Sequence, residues 1–311
     1  MRIKMNKLIM MIGLPASGKS YYAAKIAKKE NAIIISSDNL RKELFNNEND
    51  QTHNTEVFKE LHRRVKENLK QKNNVIIDAT NINHKRRRAL LDQLKRFNCF
   101  KECYLMATSY EKCLEQNRKR EREIPEHVIK RMYKNIFIPQ YYEGWNKINI
   151  IKNFNKEDFS INELFNGENG LNKINQDNPH HTLTIGKHCL KCSANVENDE
   201  TINDLVELAL ISKAGLFHDI GKAFTKEFKN TKGEITDIAH YYEHHNTSAY
   251  LSLFYLNLCD EDILKVTKYI QWHMQPFFIG TEKSKDKFIR LVGEEFYNNL
   301  LILHKADINA K

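Results

Sequence analysis

The segment Gly13–Ser20 (GLPASGKS) constrains the fold of this chain more than any other feature of its sequence. It fits the pattern G-x-x-x-x-G-K-[ST], follows the apolar run Lys7–Ile12, and precedes a helical pattern that begins at Lys19. Glycines at these places let the backbone curl so that its N–H groups point at phosphate oxygens, at the positive end of the following helix. The segment therefore predicts a phosphate-binding loop between a strand and a helix.

The residues of this loop have separate expected tasks. Lys19 is predicted to reach the β- and γ-phosphates of a nucleotide, and the Ser20 hydroxyl is predicted to ligate Mg²⁺. The cradle around the phosphates is expected to consist of Gly13, Ala16, Ser17 and Gly18. The implied ligand is ATP or another nucleoside triphosphate together with Mg²⁺.

Short apolar runs alternate with helical patterns through the first half of the chain. The candidate strands are Lys7–Ile12, Ala32–Ser36, Val75–Asp78, Phe100–Leu105 and Lys147–Ile151. The candidate helices begin near Lys19, Thr55, His84, Tyr110 and Glu126. This alternation is typical of a parallel sheet with helices on both faces, so we expect an α/β domain with a five-stranded parallel sheet and flanking helices.

The second half has a different pattern. Residues 166–178 (NGENGLNKINQDN), which follow a last candidate helix at Glu157–Phe165, are predicted to form an exposed linker. The pattern beyond them is helical, over Thr182–Val196, Thr201–His218, Ala239–Leu258, Asp260–His273 and Lys285–Lys305. We therefore expect a first domain over residues 1–165, a linker over 166–178, and an all-α domain over 179–311.

Composition limits the class of protein. Hydrophobic residues at 41% and charged residues at 29% are typical of a globular chain and exclude a collagen-like or disordered one. No apolar run approaches the roughly 20 residues of a membrane helix, and the N-terminal sequence lacks the cleavage site of a signal peptide. Six cysteines in 311 residues are too few for a disulfide framework. We expect reduced thiols, a cytoplasmic location and no membrane partner.

The net charge of +9 is unevenly distributed. Residues 1–150 hold 31 Lys and Arg against 17 Asp and Glu, which gives +14, whereas the remainder holds 18 against 23, which gives −5. A basic first half suggests a polyanionic partner such as RNA or DNA. The alternative explanation of this positive charge is a general enrichment of lysine in an Asn- and Lys-rich genome.

Charged residues follow the other strands of the predicted sheet. Asp38 and Arg41 lie at the carboxyl end of Ala32–Ser36, where ligands bind in open α/β sheets. Asp38 could accept the proton of an acceptor hydroxyl while Arg41 orients the phosphate next to it, although a helix N-cap is the alternative for Asp38. Asp78 closes the third strand, where P-loop enzymes carry a magnesium-associated aspartate.

A run of basic residues lies further along the chain. Arg118 and Arg122 are one helical turn apart, so they are expected to share a face and to close over the γ-phosphate as a helical lid. A solvated run of charges is the alternative for this segment.

The motifs GLPASGKS, SSDNLR, VIIDATNIN and NRKREREIPEHVIKRMY occur in the order and spacing that resemble the phage-type 5′-hydroxyl polynucleotide kinases, over Lys7–Ile151. These P-loop phosphotransferases move a γ-phosphate to a nucleic-acid end. The resemblance implies that Asp38 is the general base and that Arg41 holds the terminal phosphate of the acceptor. It also implies the phosphate, metal and lid roles given above for Lys19, Ser20, Arg118 and Arg122. One departure is Asp78, because some members carry the acid one position later, where this chain has Ala79.

Histidines are concentrated in the second half, where nine of the thirteen follow residue 179. His218 and Asp219 are adjacent at the end of an apolar helical pattern, and imidazole with carboxylate suits a divalent transition metal that activates water. Four more candidate ligands lie at plausible helix positions, namely His188, His244, His273 and Asp307. For each histidine alone, a surface or capping role is the alternative.

Together these residues resemble the HD-superfamily phosphohydrolases over Pro179–Ala310. The resemblance implies that the ligands common to the family are His188, His218, Asp219 and Asp307. It also implies an additional pair of ligands, His244 and His273. The implied metal is Mn²⁺, Co²⁺, Ni²⁺ or a similar ion. Lys222 stands where this family often contacts a substrate phosphate, and His180, His181 and His245 are ambiguous neighbours of the ligands.

The two resemblances together are to kinase–HD enzymes that heal nucleic-acid ends. They imply transfer of the γ-phosphate of a nucleoside triphosphate to a 5′-hydroxyl end, hydrolysis of a 2′,3′-cyclic or 3′-phosphate end, and a separate ligase as a partner. One alternative is a nucleoside-type kinase joined to a nucleotide-clearing HD hydrolase. Another is a non-catalytic nucleotide switch, which has no need for an acceptor-side base such as Asp38.

Overall fold

The computed structural model describes residues 5–48, 52–179 and 181–311. The chain divides into two compact units. The first unit runs to Met132 and also includes residues 139–153, whereas the second comprises residues 133–138 and 154–311. Among the described helices, each is too short or too polar to span a lipid bilayer.

The first unit contains the predicted sheet, with five parallel strands in the order β2-β3-β1-β4-β5. The strands are β1 Lys7–Ile12, β2 Ala32–Ser36, β3 Asn74–Asp78, β4 Phe100–Ala107 and β5 Lys147–Lys152. The central strand β1 is buried along its length, since Leu8–Ile12 are at most 1% exposed. Helices that cover both faces of a parallel sheet explain why β1 is a continuous apolar run. The prediction of a five-stranded parallel sheet is confirmed.

Among the described residues of this part of the chain, six α-helices flank the strands: α1 Lys19–Glu30, α2 Ser37–Phe45, α3 Asn54–Lys70, α4 His84–Gln93, α5 Tyr110–Arg118 and α6 Glu126–Lys134. Helix α2 was absent from the predicted helices. It begins directly after β2, where the Ser36 hydroxyl accepts a hydrogen bond from the Asn39 N–H and caps the helix. Ser36 is therefore the N-cap, and the alternative that gave this role to Asp38 is wrong.

A buried ion pair connects helix α4 with the turn before β5. Arg87 and Glu143 form two parallel hydrogen bonds of 2.7 and 2.6 Å, and both side chains are at most 1% exposed. Arg87 also donates to the Asn81 carbonyl at 2.8 Å, and the Trp145 indole donates to Glu143 at 3.2 Å. Two buried charges are tolerated because their hydrogen-bonding groups are paired with one another and with these neighbours.

The second unit is mainly helical. Its helices are α7 Ile161–Asn166, α8 Ile185–Glu197, α9 Leu205–Phe217, α10 Lys222–Thr225, α11 His244–Tyr255, α12 Asp260–Trp272, α13 Glu282–Val292 and α14 Glu294–Ile308. Helix α8 packs against α9 and α14, and α12 packs against α9 and α11. These contacts bring together the ends of helices that are far apart in sequence.

The second unit differs from the sequence prediction at two places, a hairpin and a break in a helix. An antiparallel hairpin, β6 Glu227–Lys229 and β7 Ile235–His240, lies mostly between two predicted helices, so the expectation of an all-α domain is wrong at this place. Gly233, with a φ of 85°, makes its turn. The helix predicted over Lys285–Lys305 is two helices, because Gly293 adopts a φ of 95° and separates α13 from α14.

Residues 166–178, predicted to be an exposed linker, lie within the second unit. Gly170, Leu171 and Gln176 are buried there. A Cβ at Gly186 in α8 would lie 2.7 Å from the Asn172 backbone nitrogen, so this segment packs closely on the helix. The polar composition of this segment suggested an exposed linker, because only a few of its residues, such as Leu171 and Gln176, are buried.

We expect Arg87→Ala to destabilise the first unit by about 3–5 kcal/mol, because the substitution leaves Glu143 as an unpaired buried charge. Chemical denaturation measures this loss. The matched control is Arg63→Ala, whose side chain is 54% exposed although it pairs with Glu60 and Glu67, so its effect should be much smaller. Equal effects of the two substitutions would contradict the structural role of the buried pair.

Candidate functional sites

The phosphate loop lies between β1 and α1, as predicted. Gly18 adopts a φ of 93° at the start of α1, and the Gly13 N–H donates to the Thr80 carbonyl at 3.0 Å. A Cβ at Gly13 would lie 2.8 Å from the Ser17 hydroxyl oxygen, so a larger residue there requires the loop to shift. Glycine is thus needed at both positions for the loop to curl between the strand and the helix.

The phosphate loop itself positions the Lys19 side chain. Its ammonium group donates to the Leu14 carbonyl at 2.5 Å. Burial lowers the pKa of Lys19 to about 8, although the charge of Asp78 opposes this shift. A bound phosphate would compensate the buried positive charge, which fits the predicted task of this lysine.

A cavity of about 530 Å³ opens beside the loop. It brings together the predicted residues Lys19, Ser20, Asp38, Arg41, Asp78 and Arg122. The carboxyl ends of β1, β2 and β3 share one edge of the sheet, and Ser36 lies in register with Asp78, which explains this convergence. Asp78 is buried at the end of β3.

Asp38 and Arg41 form the centre of a charged network in this cavity. Arg41 donates to the Asp38 carboxylate at 2.7 Å and to the Asn54 side-chain oxygen at 2.7 Å. Arg122 lies 3.3 Å from the other oxygen of Asp38. The Asp38 side chain is nevertheless 44% exposed, so an acceptor molecule can reach it.

The predicted pair of lid arginines is not arranged as expected. Arg118 is the last residue of α5, is exposed and does not line the cavity, whereas Arg122 lies in the following loop and does. The helix ends there because the Asn117 side chain hydrogen-bonds both the N–H and the carbonyl of Ile124. The prediction that Arg118 and Arg122 share a helical face is therefore wrong.

Three arginines of this cavity were not among the predicted site residues: Arg86, Arg120 and Arg131. With Lys19, Arg41 and Arg122 they make six basic residues in the lining, against the two carboxylates Asp38 and Asp78. Such an excess favours a ligand that carries several phosphates. The sequence predicted Arg41 and Arg122 as site residues but did not indicate that Arg86, Arg120 and Arg131 would also face the cavity.

The second unit brings all six predicted ligands together: His188 of α8, His218 and Asp219 after α9, His244 at the start of α11, His273 after α12 and Asp307 of α14. Two overlapping groups within this set lie close enough together to hold a metal ion, His188 with His218 and Asp307, and His218 with Asp219 and His273. We call the six residues the His/Asp cluster. All six are buried.

The backbone orients the four imidazoles of the His/Asp cluster. Each Nδ1 lies at hydrogen-bonding distance from a backbone carbonyl oxygen. The pairs are His188 with Ala310 at 3.3 Å, and His218 with Gly215, His244 with Tyr241 and His273 with Ile270, each at 2.7 Å. A carbonyl oxygen only accepts, so each Nδ1 must carry a proton, and each Nε2 of a neutral imidazole then presents a lone pair. The four Nε2 atoms are thus arranged as ligands.

These lone pairs converge in two pairs on opposite sides of Asp219. The Nε2 atoms of His188 and His218 are 3.1 Å apart, and those of His244 and His273 are 3.2 Å apart. Asp219 turns its Oδ2 to the first pair, 3.2 Å from His188, and its Oδ1 to the second, 3.2 Å from His244. Asp307 adds an oxygen 3.1 Å from His188. The Asp219 carboxylate therefore lies between two donor sets.

The chemistry of these donor sets fits divalent transition metals. Asp219 is 2% exposed, and its Oδ1 accepts no hydrogen bond from the described residues. Lone pairs and carboxylate oxygens at about 3 Å from one another repel unless a cation or protons lie between them. The residues that would hold metal ions are therefore the six of the His/Asp cluster.

Electrostatics keep the carboxylates of the cluster ionised. Burial opposes charge on Asp219, but the Lys222 ammonium, 2.6 Å from its Oδ2, helps to hold the pKa of this carboxyl well below its usual range. Burial also opposes charge on Asp307, whose pKa is nevertheless lowered beside His188 and His218. Burial lowers the pKa of His273 well below its ordinary value, which agrees with a neutral imidazole.

Lys222 borders the His/Asp cluster. Its ammonium group lies 2.6 Å from Asp219 Oδ2 and 2.8 Å from the Gln176 side-chain oxygen. His181 lies beside it, with Nε2 at 3.5 Å from the ammonium, whereas His245 faces Glu243 at 3.6 Å. His180 lies outside the described residues. Gln176 was missed because the sequence placed it in a linker.

Residues 8–139 match the family model described as an AAA domain. The first unit is accordingly a P-loop domain with a five-stranded parallel sheet and flanking helices.

One relative by sequence is the L-seryl-tRNA(Sec) kinase of Methanococcus maripaludis. It is 27% identical over 254 residues, which cover 74% of this chain and 93% of the relative. Similarity to a kinase at this level supports phosphotransferase activity in the first unit.

Two solved structures also resemble this chain. One, of the Pnkp1/Rnl/Hen1 RNA repair complex, is 25% identical, with a TM-score of 0.36 and coverage of 41% of this chain and 43% of that chain. The other, a gluconokinase from Sinorhizobium meliloti 1021, is 16% identical, with a TM-score of 0.35 and coverage of 47% and 82%. The present chain thus spans less than half of the RNA repair chain that it matches.

We expect the full chain to retain two equivalents of Mn²⁺ or a similar ion. Asp219→Ala should lose both, because the two oxygens of Asp219 face different donor sets. His273→Ala should lose about one equivalent. Elemental analysis after dialysis measures the content, and His245→Ala, which removes the neighbouring histidine that faces Glu243, is the matched control. Unchanged metal content in Asp219→Ala would contradict the shared-ligand arrangement.

Proposed function

We propose that this chain is a bifunctional enzyme that heals nucleic-acid ends. The first unit transfers the γ-phosphate of a nucleoside triphosphate to a 5′-hydroxyl end, and the second hydrolyses a 2′,3′-cyclic or 3′-phosphate end. The observation that carries the proposal is the presence in one chain of a reachable acceptor-side carboxylate, Asp38, and of the buried His/Asp cluster. A nucleotide switch requires neither.

The kinase reaction uses the two sides of the cavity differently. Lys19 and the loop N–H groups bind the β- and γ-phosphates, and Ser20 is the residue that would hold Mg²⁺. Asp38 accepts the proton of the acceptor hydroxyl as the new phosphoester forms. Arg41, held by Asp38 and Asn54, binds the phosphate that flanks the hydroxyl.

The charge of the cavity favours a polynucleotide end over a neutral small acceptor. Its six basic residues exceed its two carboxylates by four. A nucleoside triphosphate with Mg²⁺ neutralises only part of this excess, so a further phosphodiester on the acceptor is accommodated. The net charge of +14 over residues 1–150 supports the same class of substrate.

The phosphoesterase reaction is assigned to the second unit. The six residues of the His/Asp cluster would hold a divalent transition metal, which would supply an activated water molecule for attack on a phosphoester. His188, His218, His244 and His273 present their Nε2 atoms because the backbone fixes their Nδ1 protons. Lys222 holds Asp219 and places a positive charge next to the cluster, where it stabilises a substrate phosphate.

A second candidate for the first unit is phosphorylation of a hydroxyl on an aminoacyl-tRNA. The observation that favours it is the 27% identity to a seryl-tRNA kinase over 74% of this chain. The same Asp38 would accept the proton in either reaction. The two candidates differ only in the acceptor, so a direct comparison of acceptors separates them.

We expect wild-type protein with Mg²⁺ and γ-labelled ATP to label a 5′-hydroxyl RNA, and Asp38→Asn to lower the rate about 10²–10⁴-fold through loss of the base. Seryl-tRNA and a free nucleoside are tested in parallel. Asp92→Asn, which alters an exposed aspartate paired with Lys95, is the matched control. Preferential labelling of seryl-tRNA favours the second candidate, and a wild-type rate for Asp38→Asn contradicts the role of Asp38.

We expect the two activities to fail independently, because no proposed site residue is shared between the units. Lys19→Ala should abolish 5′ phosphorylation and leave 3′-end hydrolysis unchanged, whereas Asp219→Ala should do the converse. An RNA with a 5′-hydroxyl and a 2′,3′-cyclic phosphate, analysed at both ends, reports both reactions in one assay. Loss of both activities in a folded single variant would contradict the separation.

A further inference from the structure

We propose that the turn after α12 and the exposed face of α13 form a track that binds single-stranded nucleic acid next to the His/Asp cluster. The inference rests on the phosphoesterase half of the proposed function and specifies how that site receives its substrate. We call the two parts the aromatic turn, Gln275–Phe278, and the basic face, Lys283, Lys287 and Arg290. Neither part supplies a ligand to the cluster.

The aromatic turn exposes two phenylalanine rings to solvent. Phe278 is 71% exposed and Phe277 is 49% exposed. Burial of a phenylalanine ring is favourable by about 1.5–3 kcal/mol, so two adjacent exposed rings are costly unless they serve a ligand. A nucleobase is a planar ligand that stacks on such a ring, whatever its sequence.

The aromatic turn lies beside two residues of the cluster. It begins two residues after His273, which directly follows α12. Phe277 contacts the His304 ring edge-on, with centroids 4.3 Å apart. His304 precedes Asp307 by three residues on α14, so the two are neighbours on one helical face. A base stacked on this turn would therefore lie close to the cluster.

The turn is anchored at both ends. Before it, the Trp272 ring packs on the buried Phe288 ring of α13, with centroids 5.1 Å apart. After it, Thr281 and Ser284 form a capping box that starts α13. Exposed rings on an anchored turn form a pre-organised stacking surface, which limits the entropy lost on binding.

The basic face of α13 continues from the aromatic turn. Lys283, Lys287 and Arg290 are spaced four and three residues apart, so they lie along one side of the helix, away from the buried Phe288. Among the described residues, none of the three pairs with a carboxylate. Their charges stand out because residues 151–311 carry a net charge of −5. Unpaired cations beside exposed rings are the combination that binds a single strand.

The test compares a polymeric substrate with a small one, using the full chain with Mn²⁺. Phe278→Ala should raise KM about tenfold for a single-stranded oligonucleotide with a 3′-phosphate or 2′,3′-cyclic end. It should leave kcat/KM for bis(4-nitrophenyl) phosphate unchanged, and Phe278→Trp should restore the oligonucleotide KM. Ile235→Ala, at a residue 83% exposed on the hairpin of the same unit, is the control.

The basic face is tested through salt. Lys283→Gln with Lys287→Gln should lower the slope of log KM against log salt by about one per phosphate contact removed. Equal KM values in wild type and Phe278→Ala, with an unchanged salt slope in the lysine variant, would overturn the track while leaving the phosphoesterase assignment intact.

A binding measurement separates failure of the track from failure of the proposed function. If the chain hydrolyses neither substrate, the phosphoesterase assignment is wrong, and photo-cross-linking of an oligonucleotide that contains 4-thiouridine decides the track by itself. Cross-linked peptides from residues 275–290 that vanish in Phe278→Ala support the track. Cross-links confined to the first unit overturn it.

Discussion

The second unit depends on a buried negative charge, the carboxylate of Asp219. Its two oxygens lie between two pairs of imidazoles, and Lys222 contacts one of them at 2.6 Å. An ionised carboxylate is costly to bury unless cations or donors surround it, so the helices that supply these neighbours must all be in place. The need to satisfy one charge thus links α8, α9, α11, α12 and α14 to a single centre.

In the first unit, buried charges are compensated in two ways. At the carboxyl ends of the strands, the buried Lys19 ammonium donates to a carbonyl oxygen. A bound phosphate would compensate the rest of its positive charge. In the interior, Arg87 and Glu143 compensate each other fully. The contrast distinguishes a binding site, where charges are kept available, from a structural contact, where they are paired.

Much of the fold could be predicted because it depends on local patterns. The five strands are continuous apolar runs, and Gly13–Ser20 is a contiguous motif with a known place between strand and helix. The failures concern positions where a distant or single contact overrides the pattern. Asn117 ends α5 before Arg122, Gly293 divides a helix, and Gln176 is buried beside Lys222 within an Asn-rich segment.

The sequence by itself determined the phosphate loop, the parallel sheet and the identity of the candidate ligands, because residue type and spacing carry that information. Only the tertiary structure decided which of these residues meet. It placed Arg120 and not Arg118 in the cavity, and it set Asp219 between two donor pairs. The physical reason is that a site depends on distances between side chains on different elements, and those distances follow from packing, which no local pattern in the chain encodes.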